Sequence, residues 1–356
     1  MTLLQDIYQK SLYTLSGHGV RKVEVLKEAF RHVQEDVTSD IYGEGQIIAE
    51  FEKKMATLLG KEKAVFFPSG TMAQQIALRI WSDKKQSKKI AYHPLSHLEI
   101  HEQDGPQMLH QFDVTFVSEE SRPVGYEEIS HLDDSFAALL LELPQREIGG
   151  SVPPFSELLQ MADHCRENNI KLHLDGARLL EVLPYYEKSA EEVSALFDSV
   201  YLSFYKGVGG IAGAILAGDK SLIEEAKVWK RRFGGDLISL YPYIIPADYY
   251  YEKRKDKMKR YYEISRFFAE RFNQINGLHT KPKVPQSNMF HLYFEKDIED
   301  IEQLLKMVYE ECGVGITSRI QEKDNEYFAE ISFGDAVTVI PETVIEKMFL
   351  TIKQNI

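Results

Sequence analysis

Only two cysteines occur in the sequence, Cys165 and Cys312, so there is neither a disulfide framework nor the ligand spacing of a metal knot. Cys165 falls in a helical pattern and Cys312 precedes a glycine, so both read as small packing residues. Positive charge is also scarce: 42 Lys and Arg stand against 55 Asp and Glu, a net charge of −13. Binding a phosphate backbone needs concentrated basic surface, so no nucleic-acid partner is expected, and the run from Lys84 to Lys89 is too short to change that. Long apolar runs are missing too. No stretch of about 20 apolar residues could cross a bilayer, and MTLLQDIYQKSLYTLSGHG lacks the basic start and apolar core of a signal peptide. No membrane partner is expected, and the cytoplasm is the expected location. No internal repeat or low-complexity segment is present. What remains is an ordinary globular composition, 44% hydrophobic over 356 residues, and that length suits two domains.

The chemistry concentrates in residues 171–213, KLHLDGARLLEVLPYYEKSAEEVSALFDSVYLSFYKGVGGIAG. An apolar run from Lys171 to Leu174 stops at Asp175, so a carboxylate is delivered at the exit of a buried strand, where open α/β sheets bind their ligands. A second run, Ser199 to Phe204, delivers Lys206 in the same way, followed by glycines at 207, 209, 210 and 213. Alone, Asp175 could be a turn former and Lys206 a surface amine. Together, an acid and an amine at successive strand ends suit a pyridoxal phosphate site. Lys206 would form the Schiff base, and Asp175 would keep the ring nitrogen protonated so that the ring accepts electrons.

Around this centre the pattern alternates strand and helix. Ala64–Phe67 reads as a strand, and Pro68-Ser69-Gly70-Thr71 turns into a helix with apolar residues at Met72, Ile76, Ala77 and Ile80. Unpaired N–H groups and the positive end of the helix dipole make such a start an anion cup. Ser69, Gly70 and Thr71 are therefore expected to hold a phosphate, an ordinary Ser/Thr N-cap being the alternative. Ser203 could add a hydroxyl to it. Leu139–Leu141 is a further strand, ending in Glu142, and a helix from Pro154 to Asn168 completes the rhythm of a parallel sheet. Arg146 could bind a substrate carboxylate.

Upstream, residues 1–20 read as an arm or short helix, Arg21–Val37 has helical spacing, and Gln46–Leu59 is a helix closed by Gly60. His93, His97 and His101 would stack on one helical face, but no acid or thiolate completes a ligand set, so no metal is expected. A long charged helix follows Tyr241. Beyond it come strand Met289–Phe294, helix Ile298–Cys312, strands Gly315–Arg319 and Tyr327–Phe333, and helix Pro341–Ile352. The expected division is 1–245, an arm plus a large domain with a mainly parallel sheet, and 246–356, a linking helix plus a small α+β domain.

These segments carry a resemblance. HLDGAR with SFYKGVG, PSGTMA, and SHLEIHEQDG resemble the matching segments of the threonine aldolase and aromatic amino acid β-eliminating lyase family. Those are pyridoxal phosphate enzymes of the aspartate-aminotransferase fold, called fold type I. The resemblance runs from about Asp40 to the end. It implies that Lys206 is the Schiff-base lysine, Asp175 faces the ring nitrogen, Arg178 lies near the ring's phenolic oxygen, and His97 stacks on the ring. It also implies homodimers or homotetramers with sites at the subunit seam, which His18 and Tyr42 could reach across. Two departures stand out. Where the family carries ENTHN this chain has ELPQREIGG, so Gln145 replaces a histidine, and an amide is no general base near neutral pH. The family's carboxylate-binding arginine is absent from EYFAEISFGD, and Arg319 is the nearest substitute.

The resulting expectation is an enzyme: a pyridoxal-phosphate-dependent carbon–carbon lyase that cleaves threonine or allo-threonine to glycine and an aldehyde. The alternatives are β-elimination on another amino acid and a catalytically silent binding protein that keeps the fold and the cofactor.

Overall fold

The computed structural model describes residues 2–31 and 33–356. Its strands are, in chain order, β1 (Tyr13–Thr14), β2 (Lys63–Phe67), β3 (Lys89–Tyr92), β4 (Asp113–Phe116), β5 (Ala138–Glu142), β6 (Lys171–Gly176) and β7 (Ser199–Ser203). They continue as β8 (Ala214–Gly218), β9 (Leu278–Lys281), β10 (Met289–Phe294), β11 (Val314–Gly315), β12 (Gln321–Lys323) and β13 (Glu326–Ser332). The chain divides into two compact units. One comprises Val23–Glu147 and Val152–Asp256; the other takes the residues up to Lys22, Ile148–Ser151 and Lys257–Ile356.

The first unit is an α/β structure built on a seven-stranded sheet in the order β2-β8-β7-β6-β5-β3-β4. Only β8 runs antiparallel to its neighbours. The parallel strands β5, β6 and β7 are buried almost throughout, as expected where helices cover both faces of a parallel sheet. Helix Gly70–Lys85 contributes Ile76, Ile80 and Trp81 to a cluster with Val65, Leu140 and Leu216, each such burial worth about 1.5–3 kcal/mol. The one polar atom of Trp81 is satisfied, its Nε1 donating to Ser199 Oγ at 2.9 Å. Register then fixes the chemistry: Glu142 lies opposite Asp175 and Asp175 opposite Tyr201, so the carboxyl ends of three adjacent strands are level.

The second unit carries a four-stranded antiparallel sheet, β12-β13-β10-β9. It also holds the N-terminal arm. Helix Leu3–Lys10 starts with a capping box made by Thr2 and Gln5, and β1 pairs in parallel with β11. Backbone pairing thus ties the arm to the smaller unit, where the sequence grouped it with the larger. The division falls at Asp256/Lys257 instead of 245/246, because 246 lies inside helix Tyr241–Arg254. The linking helix is two, Tyr241–Arg254 and Met258–Asn273, with a 3-10 turn at Lys255–Lys257 between them.

Three other expectations are corrected. Among the described residues of Arg21–Val37 only Glu24–Phe30 is helical; Val23 gives no side-chain cap, Ala29 is the one buried residue of that helix, and Asp36, Val37 and Thr38 are poor helix formers. The strand expected at Gly315–Arg319 is limited to Val314–Gly315. There Thr317 Oγ1 accepts from Arg319 N–H at 3.2 Å and donates to the Arg319 carbonyl at 3.0 Å, a local turn that competes with pairing. The three histidines do not share a helical face, since only the single turn His97–Ile100 is helical. His93 Nε2 is within 3.1 Å of the Glu119 carbonyl and 2.9 Å of the Arg122 carbonyl.

Candidate active site

Three strand ends and one helix start meet in a pocket of the larger unit. β5 delivers Glu142, β6 delivers Asp175 and the turn after β7 delivers Lys206; helix Gly70–Lys85 adds Thr71 and Gln74. His97, Pro144, Arg146, Ala177, Arg178, Tyr201 and Tyr205 complete the lining. The helix start is open: Ser69 sits at the N-cap but makes no side-chain cap bond. That leaves the first-turn N–H groups without intrahelical partners. Gly70 is required here, because a Cβ would collide with the Tyr201 hydroxyl. Ser203 is buried at the end of β7, its Oγ accepting from Tyr205 N–H at 3.3 Å.

The electrostatics are those of a dry site. Burial holds the Lys206 amine below its ordinary pKa, and the guanidinium groups of Arg178 and Arg146 add to the effect against Asp175 and Glu142. Burial pushes Asp175 up, opposed by the Ala177 N–H at 3.0 Å, by His97, by a hydrogen bond from Gln74, and by Lys206. Glu142 is also pushed up, to about 8, by burial and then by Asp175 across the strand pair. Its own partners are backbone N–H groups, Arg146 at 3.2 Å and His97, and its Oε2 is buried without a partner. Two carboxyls this close do not both ionise readily. Asp175 has the better set of donors, so it takes the charge and Glu142 keeps the proton.

The remaining expected residues lie as follows. Gln145 is buried and donates from Nε2 to the Leu95 carbonyl at 2.9 Å, away from the pocket lining. Arg146 reaches Glu147 Oε1 at 2.7 Å. Tyr42 is exposed, 5.0 Å from the Arg231 guanidinium. His18 and Arg319 belong to the other unit. There His18 Nδ1 accepts from Asp335 N–H at 3.1 Å, and Arg319 lies in the turn made by Thr317.

A family model described as beta-eliminating lyase matches residues 25–295. The chain belongs to the beta-eliminating lyase family. A candidate L-allo-threonine aldolase from Listeria monocytogenes EGD-E is 53% identical, with 99% of each chain covered and a TM-score of 0.97. A candidate aromatic amino acid beta-eliminating lyase/threonine aldolase from Exiguobacterium sp. 255-15 is 54% identical over 100% of both chains, TM-score 0.98. Low-specificity L-threonine aldolase 1 of Arabidopsis thaliana is 25% identical over 88% of this chain and 90% of its own length. Membership makes this chain a pyridoxal-phosphate-dependent lyase with the fold-type-I architecture that the sequence motifs implied.

The residues present fit that cofactor. An aldehyde needs an amine that readily loses its proton, and burial lowers Lys206 in that direction; a pyridinium nitrogen needs a buried carboxylate, supplied by Asp175; a phosphate suits the uncapped helix start at Ser69-Gly70-Thr71. Several lining or supporting residues escaped the sequence reading. Gln74 holds Asp175, and Glu181, almost fully buried, lies 3.4 Å from Arg178 Nη1. A Cβ at Gly207 would strike Glu181, which explains one glycine beside Lys206. Glu142 did carry a signal, an acid at a strand exit like Asp175. Gln74 and Glu181 carried none, because their partners are chosen by folding.

Proposed function

We propose that this beta-eliminating lyase family member acts as an aldolase on a β-hydroxy amino acid, threonine or allo-threonine, releasing glycine and an aldehyde. The observation that carries the reading is the Lys206 amine, buried and held below its ordinary pKa, in one pocket with the carboxyls of Asp175 and Glu142. Pyridoxal phosphate, when bound, supplies the electron sink for the bond broken at the substrate's Cα. Lys206 is the amine that attaches the cofactor aldehyde. Asp175 would hold the proton at the ring nitrogen, with Arg178 and His97 as the residues that would hold the ring from the same pocket. The N–H groups and hydroxyls at Ser69, Gly70 and Thr71, with Ser203, would hold the phosphate. Arg146 would orient the substrate carboxylate, with Tyr42 as a further substrate-side candidate. His97 takes the hydroxyl proton, since Gln145 cannot and its amide instead holds the loop before His97.

Homodimers or homotetramers and a cytoplasmic location complete the proposal. An open groove of about 780 Å³ floored by Val37, Ile47, Phe51, Ile244 and Ile245 supports a covering second copy. Two unbridged cysteines support a reducing compartment, and no helix of the described residues is long and apolar enough to cross a membrane. The test is incubation of the holoenzyme with L-threonine and L-allo-threonine, assayed for acetaldehyde. No aldehyde from either isomer, with turnover of a cysteine or tyrosine analogue, would replace cleavage by β-elimination.

A further inference from the structure

His97 is held from three sides. Its backbone N–H donates to Glu142, Gln145 holds the Leu95 carbonyl two residues earlier, and its Nδ1 lies 3.2 Å from Glu102 Oε1. The third contact reaches the imidazole ring itself. The Glu102 side chain is 1% exposed, and its other oxygen accepts from Gln75 Nε2 at 2.8 Å. Neighbouring residues of helix Gly70–Lys85 thus each anchor a buried carboxylate, Gln74 to Asp175 and Gln75 to Glu102. The turn that brings Glu102 inward is unusual. Gln103 and Asp104 both have left-handed backbone, φ 53° and 56°, and Gly105 follows where a Cβ would press on the Gln75 amide. Such conformations in non-glycine residues cost of order 1 kcal/mol or more each and persist where the surrounding structure demands them.

An ionised carboxylate only accepts hydrogen bonds, so the ring nitrogen facing it must carry the proton. We propose that Glu102 is a positioning residue for the cleavage reaction: it holds His97 in the tautomer protonated at Nδ1, leaving Nε2 bare to receive the proton of the substrate's β-hydroxyl. This rests on the aldolase reading above. In the step, the substrate O–H bond breaks and an Nε2–H bond forms. The oxygen's electron pair becomes the second C–O bond of the aldehyde as Cα–Cβ breaks, and the imidazolium returns its proton to Cα of the departing glycine. Without Glu102 either tautomer is open to the ring, and the one protonated at Nε2 cannot accept. The titratable and charged groups that share the pocket with the imidazole are Asp175, Glu142, Lys206, Arg146, Arg178, Tyr201 and Tyr205, with the His101 ring 5.0 Å away and bonded to Glu147.

The experiment compares holoenzyme with Glu102→Gln and Glu102→Asp. Glu102→Gln is expected to lower kcat for aldehyde release by about 100-fold, the direction seen when a catalytic histidine loses its orienting carboxylate. KM stays within a few-fold, the acidic limb of the pH profile moves, and melting and the cofactor absorption band are unchanged. Glu102→Asp restores at least a tenth of the rate. In ¹⁵N-histidine NMR, with the His97 signals assigned by their loss in His97→Asn, the wild type shows protonated Nδ1 and bare Nε2. Full activity in Glu102→Gln, or wild-type His97 protonated at Nε2 near neutral pH, overturns the proposal. If Glu102→Gln does not fold, the wild-type NMR measurement still decides. If the wild type releases no aldehyde while the tautomer is as expected, the aldolase reading fails and the hold on His97 stands.

Discussion

The same four residue types meet in two places. In the smaller unit, Asp335 gathers Lys257, Tyr261 and His18; in the larger, Asp175 shares its pocket with Lys206, Tyr205 and His97. Their arrangements are opposite. Asp335 Oδ1 accepts from Lys257 Nζ at 2.9 Å and from Tyr261 Oη at 2.6 Å, while its N–H donates to His18 at 3.1 Å. Asp175 is bonded instead by a backbone N–H and an amide, and Lys206 and His97 act on it through space. An acid that holds its lysine directly makes a structural tie. An acid given neutral donors leaves the lysine free for a ligand, in surroundings that lower its pKa and expose a nucleophilic amine.

Removing each lysine breaks the comparison most sharply. Lys206→Ala is expected to abolish aldehyde release, by more than about 1,000-fold, and to remove the absorption band of attached cofactor. Its melting temperature should hold or rise, because a buried amine disfavoured by desolvation is gone. Next comes Asp175→Asn, which keeps the shape but removes the charge opposite the ring nitrogen. A loss of about 100-fold in kcat is expected, measured with the cofactor band still present. Activity within threefold of wild type would show that another group holds that proton.

How much of this was readable in the sequence follows the same line. The strand exits at Glu142, Asp175 and Lys206 were legible, because apolar runs that end on a polar residue mark the carboxyl edge of a parallel sheet. The open helix start at Ser69-Gly70-Thr71 was legible from its turn chemistry. Glu102 stood inside a motif, SHLEIHEQDG, in which only the histidine was given a task. Its partner Gln75 is 27 positions away, a contact that no local pattern encodes. Arg319 was misplaced on a strand for a local reason, the Thr317 turn. The arm was grouped with the wrong unit because a two-residue parallel pairing leaves no periodicity to see.

The carboxyl pair gives a pH test. Glu142 is raised from about 4.5 to about 8, so the folded protein binds a proton there that the unfolded chain releases. That contribution is complete below about 4.5 and is lost as pH rises through about 8. Melting temperature should therefore fall between pH 6 and pH 9 by an amount equivalent to a few kcal/mol. Glu142→Gln, which keeps an acceptor for the Arg146 and His97 N–H groups but cannot ionise, should flatten much of that fall. An unchanged slope would move the proton elsewhere.

Lys257→Ala has the smallest expected effect and completes the comparison. Lys257 is 40% exposed at its side chain, so solvent screens its pair with Asp335, and Tyr261 and His18 remain to hold the acid. A loss of about 1 kcal/mol in unfolding free energy is expected, read from a denaturant midpoint, with kcat for the folded fraction unchanged. If the variant instead loses activity while keeping its stability, Lys257 is no structural tie. The distinction between a lysine that binds its acid and one held apart from it would then lose its force as a guide to which amine reacts.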